Sequence, residues 1–195
     1  MRLVRSLVIL VIFVGMVISV VTAQRGRQGR GGVAIMPLTT PAWPDGLQIP
    51  VKYTQAGEEA SPPLTWSNVP EGTASFVLLF HDVNVATGDG SDDLLHWLLW
   101  NIPGSARELQ EGLPQGSELP DGTRQISVSG PYYRGPAAPV SGPVHHYIFE
   151  LFALDKKLDV QPIGSSPAQT RAAVLEVMAR HVLGKAVYAG QFQRR

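Results

Sequence analysis

Four residues that could do chemistry stand at the ends of apolar runs. Asp82 closes SFVLLFHD, His96 opens HWLLWNIP, and His145 opens HHYIFELFAL with Tyr147 two places on. Side chains of an extended chain alternate between faces. His145, Tyr147, Phe149 and Leu151 therefore share one face of the last run, and His146, Ile148, Glu150 and Phe152 the other. If the three runs are neighbours, a carboxylate, two imidazoles and a phenol meet at one rim of a sheet. An aspartate that accepts from an imidazole N–H orients the ring and favours its protonated form. A second imidazole and a tyrosine hydroxyl then offer donors to a small anion, such as a phosphate monoester or diester. The same groups could hold a metal, two His and one Asp being an acceptable open set, or act as general acid and base. A structural role for each histidine alone competes with these readings; the joint placement at strand ends favours a site.

The elements that must position these residues are mostly short apolar runs bounded by Gly, Pro, Asn and Asp. Strands are expected at Leu47–Thr54, Ser75–Asp82, Leu94–Asn101, Arg124–Ser129, His145–Leu154 and Lys185–Ala189, a spacing that suggests a mainly β protein, a β-sandwich. Ser75–Phe80 and Leu94–Trp100 are apolar on both faces and read as central strands. One helix is expected in SPAQTRAAVLEVMARHVLGKA, near the C-terminus. Ser166 caps it, Pro167 opens it and Gly184 stops it. Ala168, Ala172, Leu175, Ala179 and Val182 form its apolar stripe, and His181 near its end reads as structural or solvated. A Pro/Gly-rich connection, SGPYYRGPAAPVSGPVHHY, precedes the last long strand. Such a loop can present free amides to a ligand.

The N-terminus, MRLVRSLVILVIFVGMVISVVTAQ, has two arginines, an apolar run over residues 7–21 and a small-residue site, Val21-Thr22-Ala23. It reads as a signal peptide (1–23) for export to a periplasm or beyond the cell. A retained membrane anchor over 7–21 is the less favoured alternative, the run being a little short of a span. Residues 24–32, QRGRQGRGG, read as a flexible Gly/Arg linker, leaving 33–195 as one domain. Five of the 16 basic residues precede Val33, whereas all 16 acids follow Gly32. The domain thus has 11 basic residues against 16 acidic ones, which argues against a nucleic-acid partner. No cysteine is present, which excludes disulfides and thiolate chemistry. No G-x-S-x-G, H-E-x-x-H or phosphate-loop signature occurs, and neither Ser127 nor Ser129 is marked as a nucleophile.

In order along the chain, SPPLTWSNVPEGTASFVLLFHD, LLHWLLWNIPG and GPYYRGPAAPVSGPVHHYIFELFALD resemble the phosphatidylethanolamine-binding protein family, its bacterial Raf-kinase-inhibitor-like branch in particular. The resemblance covers the chain from about Leu47 to the helix. It implies a β-sandwich with a small anion pocket at one end. By its motifs, Asp82 matches the first residue of D-P-D-A-P, His96 the histidine of the H-W segment, and His145 and Tyr147 the histidine and tyrosine of G-x-x-H-R-Y. Tyr133, Gly135 and Pro136, in YYRGPAAP, match the loop at the pocket mouth. Two departures stand out. D-P-D-A-P has become DVNVA, with Asn84 for the second acid, and His146 replaces the usual arginine.

The preferred function is an exported binding module for a small anion, a phosphate ester or phospholipid headgroup, held by Asp82, His96, His145 and Tyr147, with no cofactor. A cleft with convergent polar groups points first to binding. The alternatives are a protease-inhibiting or other interaction protein, which the resemblance brings in, and a hydrolase using the same cluster. A homodimer through the short C-terminal strand is a further partner reading, against pairing of that strand within its own sheet.

Overall fold

The computed structural model describes residues 33–163 and 166–195; the signal-peptide and linker readings fall on residues outside these. Among the described residues no helix is long and apolar enough to cross a membrane. The fold is a β-sandwich. Strand β1 spans Ala34–Ile35, β2 Leu38–Thr39, β3 Leu64–Trp66, β4 Ser75–Thr87, β5 Asp92–Pro103, β6 Glu108–Leu109, β7 Arg124–Ile126, β8 His145–Leu154 and β9 Val182–Phe192, with helix α1 at Pro167–Met178 between the last two. The larger sheet runs β1-β9-β8-β4-β5-β7 and the smaller β2-β3-β6.

The doubly apolar runs are central, as their composition requires. One face of β4 and β5 (Phe76, Leu78, Phe80, Trp97, Leu99) joins Tyr147, Phe149 and Leu151 of β8 in the core between the sheets. Phe80 stacks on Phe149 with centroids 4.0 Å apart. The opposite face (Val77, Leu79, Leu98, Trp100) packs beneath α1 against Val174 and Met178. Strand β9 is bonded on both sides. Beyond β8 and β1, residues 46, 47 and 49 exchange backbone bonds with Ala189 and Gln191, so this stretch of edge, considered above for a dimer, is taken by the chain itself.

The expected strand Arg124–Ser129 ends at Ile126, and the larger departures from expectation lie at Leu47–Thr54 and around α1. Leu47–Thr54 is not a strand: Gln48 makes one parallel bridge to Gln191, and Val51–Tyr53 then turns as a 3-10 helix. Pro50 has no N–H to give a ladder, and Thr54 closes the turn through its N and Oγ1, both donating to Val51 O. Helix α1 stops at Met178, where Ala179 is extended and Arg180 takes φ 70°; Val182 to Phe192 follow as a strand. The buried face of α1 is Thr170, Val174 and Met178, while Ala168, Ala172 and Leu175 face solvent. A threonine holds that face because its hydroxyl is satisfied internally, donating to Ser166 O and accepting from Ile163 N. A stripe drawn only through apolar letters misses it.

A polar network sits on the helix side of the large sheet. His81 Nδ1 donates to Asp93 Oδ2, whose Oδ1 accepts from Arg171 of α1. His81 Nε2 lies 3.5 Å from Glu150 Oε2, and Lys185 pairs with the other Glu150 oxygen. Burial pushes the His81 imidazole toward neutrality, but the carboxylates of Glu150 and Asp93 beside it outweigh that and raise its pKa. The neighbouring His81 imidazole and the paired Lys185 ammonium hold Glu150 down at about 2.

Candidate functional site

Alternation along β4 turns His81 to the helix side and Asp82 to the other. Asp82 pairs in register with Tyr147 of β8 on one side and Leu94 of β5 on the other. That register brings the strand ends carrying Asp82, His96, His145 and Tyr147 together, and all four line one open cavity of about 200 Å³. Pockets for drug-sized ligands run about 300–1,000 Å³, so this one has room for a headgroup.

Asp82 is 2% exposed, and both its oxygens are engaged. Oδ2 accepts from His145 Nδ1 at 2.7 Å and Oδ1 from the amide of Asn84 at 2.9 Å. The first bond fixes the His145 ring and leaves its Nε2 for a ligand. Asn84 Oδ1 accepts in turn from the amide of His146 at 2.7 Å, so the two positions that depart from the family pattern touch each other at the rim. The Tyr147 hydroxyl accepts from the amides of Ala137 and Ala138, both at 3.2 Å. Burial, then the Asp82 charge, raise the phenol far above its ordinary pKa, so it stays protonated.

The loop over the cavity is fastened from several sides. His96 clasps Arg134 reciprocally: Nδ1 donates to Arg134 O at 3.0 Å, and Arg134 N donates to His96 O at 3.2 Å. Tyr133, Gly135 and Pro136, expected at the mouth, hold this loop from behind. Tyr133 is buried between Phe80 and Trp97, its hydroxyl donating to Tyr53 O. Gly135 O and Pro136 O accept from the side chain and backbone of Gln55. A Cβ on Gly135 would stand 2.7 Å from Tyr53 O and 2.9 Å from Thr54 Cα. Backbone cannot yield as a side-chain tip does, so Gly135→Ala is expected to destabilise by ~1–3 kcal/mol; a thermal melt checks it.

Arg134 itself lines the cavity and was not singled out from the sequence, although it stands inside YYRGPAAP. It brings the cavity's one cationic side chain of fixed charge among the described residues, with Glu59 at 4.0 Å. An arginine set in a loop of prolines and glycines is the signal that could have found it. Among the described residues no three His, Asp or Glu side chains are grouped to hold one metal ion. The open coordination set considered above is therefore not formed.

The chain matches the family model described as phosphatidylethanolamine-binding protein over residues 39–193. It is 42% identical over 161 residues to a UPF0098 protein of Methanothermobacter thermautotrophicus, covering 82% of this chain and 99% of that one. LppC of Mycobacterium tuberculosis, named as a lipoprotein, is 32% identical over 165 residues, covering 82% of this chain and 74% of the relative. Among solved structures, a phosphatidylethanolamine-binding protein homolog from Chlamydia trachomatis superposes with a TM-score of 0.68 at 28% identity, covering 84% of this chain and 100% of that one.

Proposed function

The chain belongs to the phosphatidylethanolamine-binding protein family, and from that premise we propose that it is an exported binding protein for small phosphorylated ligands. The observation that carries the reading is the convergence of Arg134, His96, His145 and Tyr147 on one headgroup-sized cavity. Arg134 supplies a permanent positive charge at its wall, and an arginine fork matches a phosphoryl group. The Asp82 carboxylate beside it accepts from two donors, and its bond to His145 orients that ring. Export rests on the apolar run of residues 7–21 and on the likeness to a relative named as a lipoprotein. No specific contact in the cavity favours the protease-partner or hydrolase readings.

Calorimetric titration with phosphoethanolamine and phenyl phosphate at pH 6 tests this function. The wild type is expected to bind both in a 1:1 complex without turnover. Loss of a charged hydrogen bond costs about 1.5–3 kcal/mol, so Arg134→Ala is expected to weaken binding at least tenfold. Absence of binding by the wild type, or an unchanged affinity in Arg134→Ala, refutes the reading.

A further inference from the structure

The hydrogen-bond polarity at His96 constrains what a guest must bring. This inference rests on the phosphoryl-ligand reading above. His96 is 2% exposed, with its Nδ1 3.0 Å from the carbonyl oxygen of Arg134. A carbonyl only accepts, so Nδ1 carries the hydrogen. Nε2 is buried and meets no hydrogen-bond partner among the described residues. In the neutral ring this nitrogen is a bare lone pair on a residue that lines the cavity, and a buried acceptor left unpaired is costly.

The surroundings keep it so. Burial lowers the pKa of His96; the carbonyls of Arg134 and Gly135 and the charge of Asp82 oppose this, and the Arg134 guanidinium adds to it. The ring of Tyr147 meets His96 edge-on at 5.2 Å, and Phe80 does so at 5.6 Å. The remaining titratable group on the cavity, His145, has its Nδ1–H committed to Asp82. A fully ionised phosphoryl oxygen placed against Nε2 would set lone pair against lone pair.

We propose that the cavity selects phosphate monoesters that share a proton with His96 Nε2, and discriminates against diesters and sulfate esters. A monoester supplies the proton as P–O–H in its monoanion. A diester, including the phosphate of an intact phospholipid, has none to give near neutral pH. The headgroup chemistry recognised is thus that of a free phosphomonoester.

The second ionisation of a phosphate monoester lies near pH ~6. Titration of the wild type with phenyl phosphate at pH 6, 7 and 8, in buffers of different ionisation enthalpy, is expected to show uptake approaching one proton per complex at pH 8. Affinity is expected to fall close to tenfold per pH unit above 7. Glycerophosphoethanolamine and phenyl sulfate are expected to bind at least tenfold more weakly than phenyl phosphate at pH 6. Side-chain nitrogen spectra of the wild type are expected to show His96 Nε2 passing from unprotonated to hydrogen-bonded on addition of phenyl phosphate, a readout that needs no variant. Proton uptake is expected to vanish in folded His96→Gln and to persist in His145→Gln. Monoester binding with no proton uptake, or a diester bound as tightly as the monoester, overturns the proton-sharing inference and leaves the proposed function standing. No binding of any phosphorylated compound overturns both.

Discussion

Truncation of Trp97 to alanine is expected to lower the unfolding free energy by about 3–5 kcal/mol, the range for removing a large buried aromatic. The indole is wholly buried on β5. It packs edge-on against Tyr133 at 5.3 Å, which in turn stacks on Phe80. Its Nε1 donates to Gln125 Oε1 at 2.9 Å. The amide of that glutamine serves Pro114 O and Gly116 O, so Gln125 is fully used only while the indole is present. The truncation therefore opens a cavity and strands a buried acceptor at once. A thermal melt is expected to fall on the order of 10 °C. Trp97→Phe, which restores most of the volume but not the bond, is expected to recover more than half of the loss. Recovery of none of it would mean that the hydrogen bond dominates, contrary to the packing account.

Asp93→Ala is expected to cost about 2–3 kcal/mol, because it leaves His81 and Arg171 facing each other without their shared carboxylate. The discount from a fully buried pair reflects its side chain, 23% exposed. The same network sets the pH dependence of stability. The pKa of His81 is raised above its ordinary 6.5. Its contribution is complete below pH 6.5 and is lost as pH rises through the raised value. Asp93 and Glu150 are held below 3.8 and 4.5 respectively, burial of Asp93 being outweighed by its bonds to Arg171 and His81. Their contribution is present above those values and is lost as pH falls toward 2. Denaturant unfolding is thus expected to be most resistant between about pH 4.5 and 6.5. Asp93→Ala is expected to flatten both flanks. A variant whose profile keeps the wild-type shape would show that other groups govern it.

Much of this was legible because strands write their faces plainly into sequence. His145–Leu154 has the bounds its alternation predicts, and Ser75–Phe80 and Leu94–Trp100 lie where doubly apolar runs must. The convergence of Asp82, His96, His145 and Tyr147 follows, since three neighbouring strands deliver their ends to one rim. What failed depended on contacts between distant segments. Nothing local says that Thr170 hides its hydroxyl, or that Pro50 ends a bridge after one residue. Tyr133, Gly135 and Pro136 belong to the loop that covers the cavity, yet their bonds run to Tyr53 and Gln55, about 80 positions earlier. Nothing in the sequence pairs those distant segments. His81 carries no local signal, because its partners Asp93 and Glu150 lie on β5 and β8.

The longest of three skips in the pairing of β4 with β5 lies at the rim of the cavity. Asp82 faces Leu94 and Ala86 faces Asp93, so Val83, Asn84 and Val85 are surplus to the ladder. Surplus residues leave the ladder locally and bend the strand that carries them. Val85 lines the cavity, and Asn84 ties the bulge to His146. The molecule therefore carries an adjustable lip on a fixed frame. Residues can be added or exchanged within 83–85 to reshape what enters, whereas deleting one residue between Phe80 and Asp82 would turn the carboxylate outward. Libraries that seek new guests for this scaffold belong in that three-residue insert.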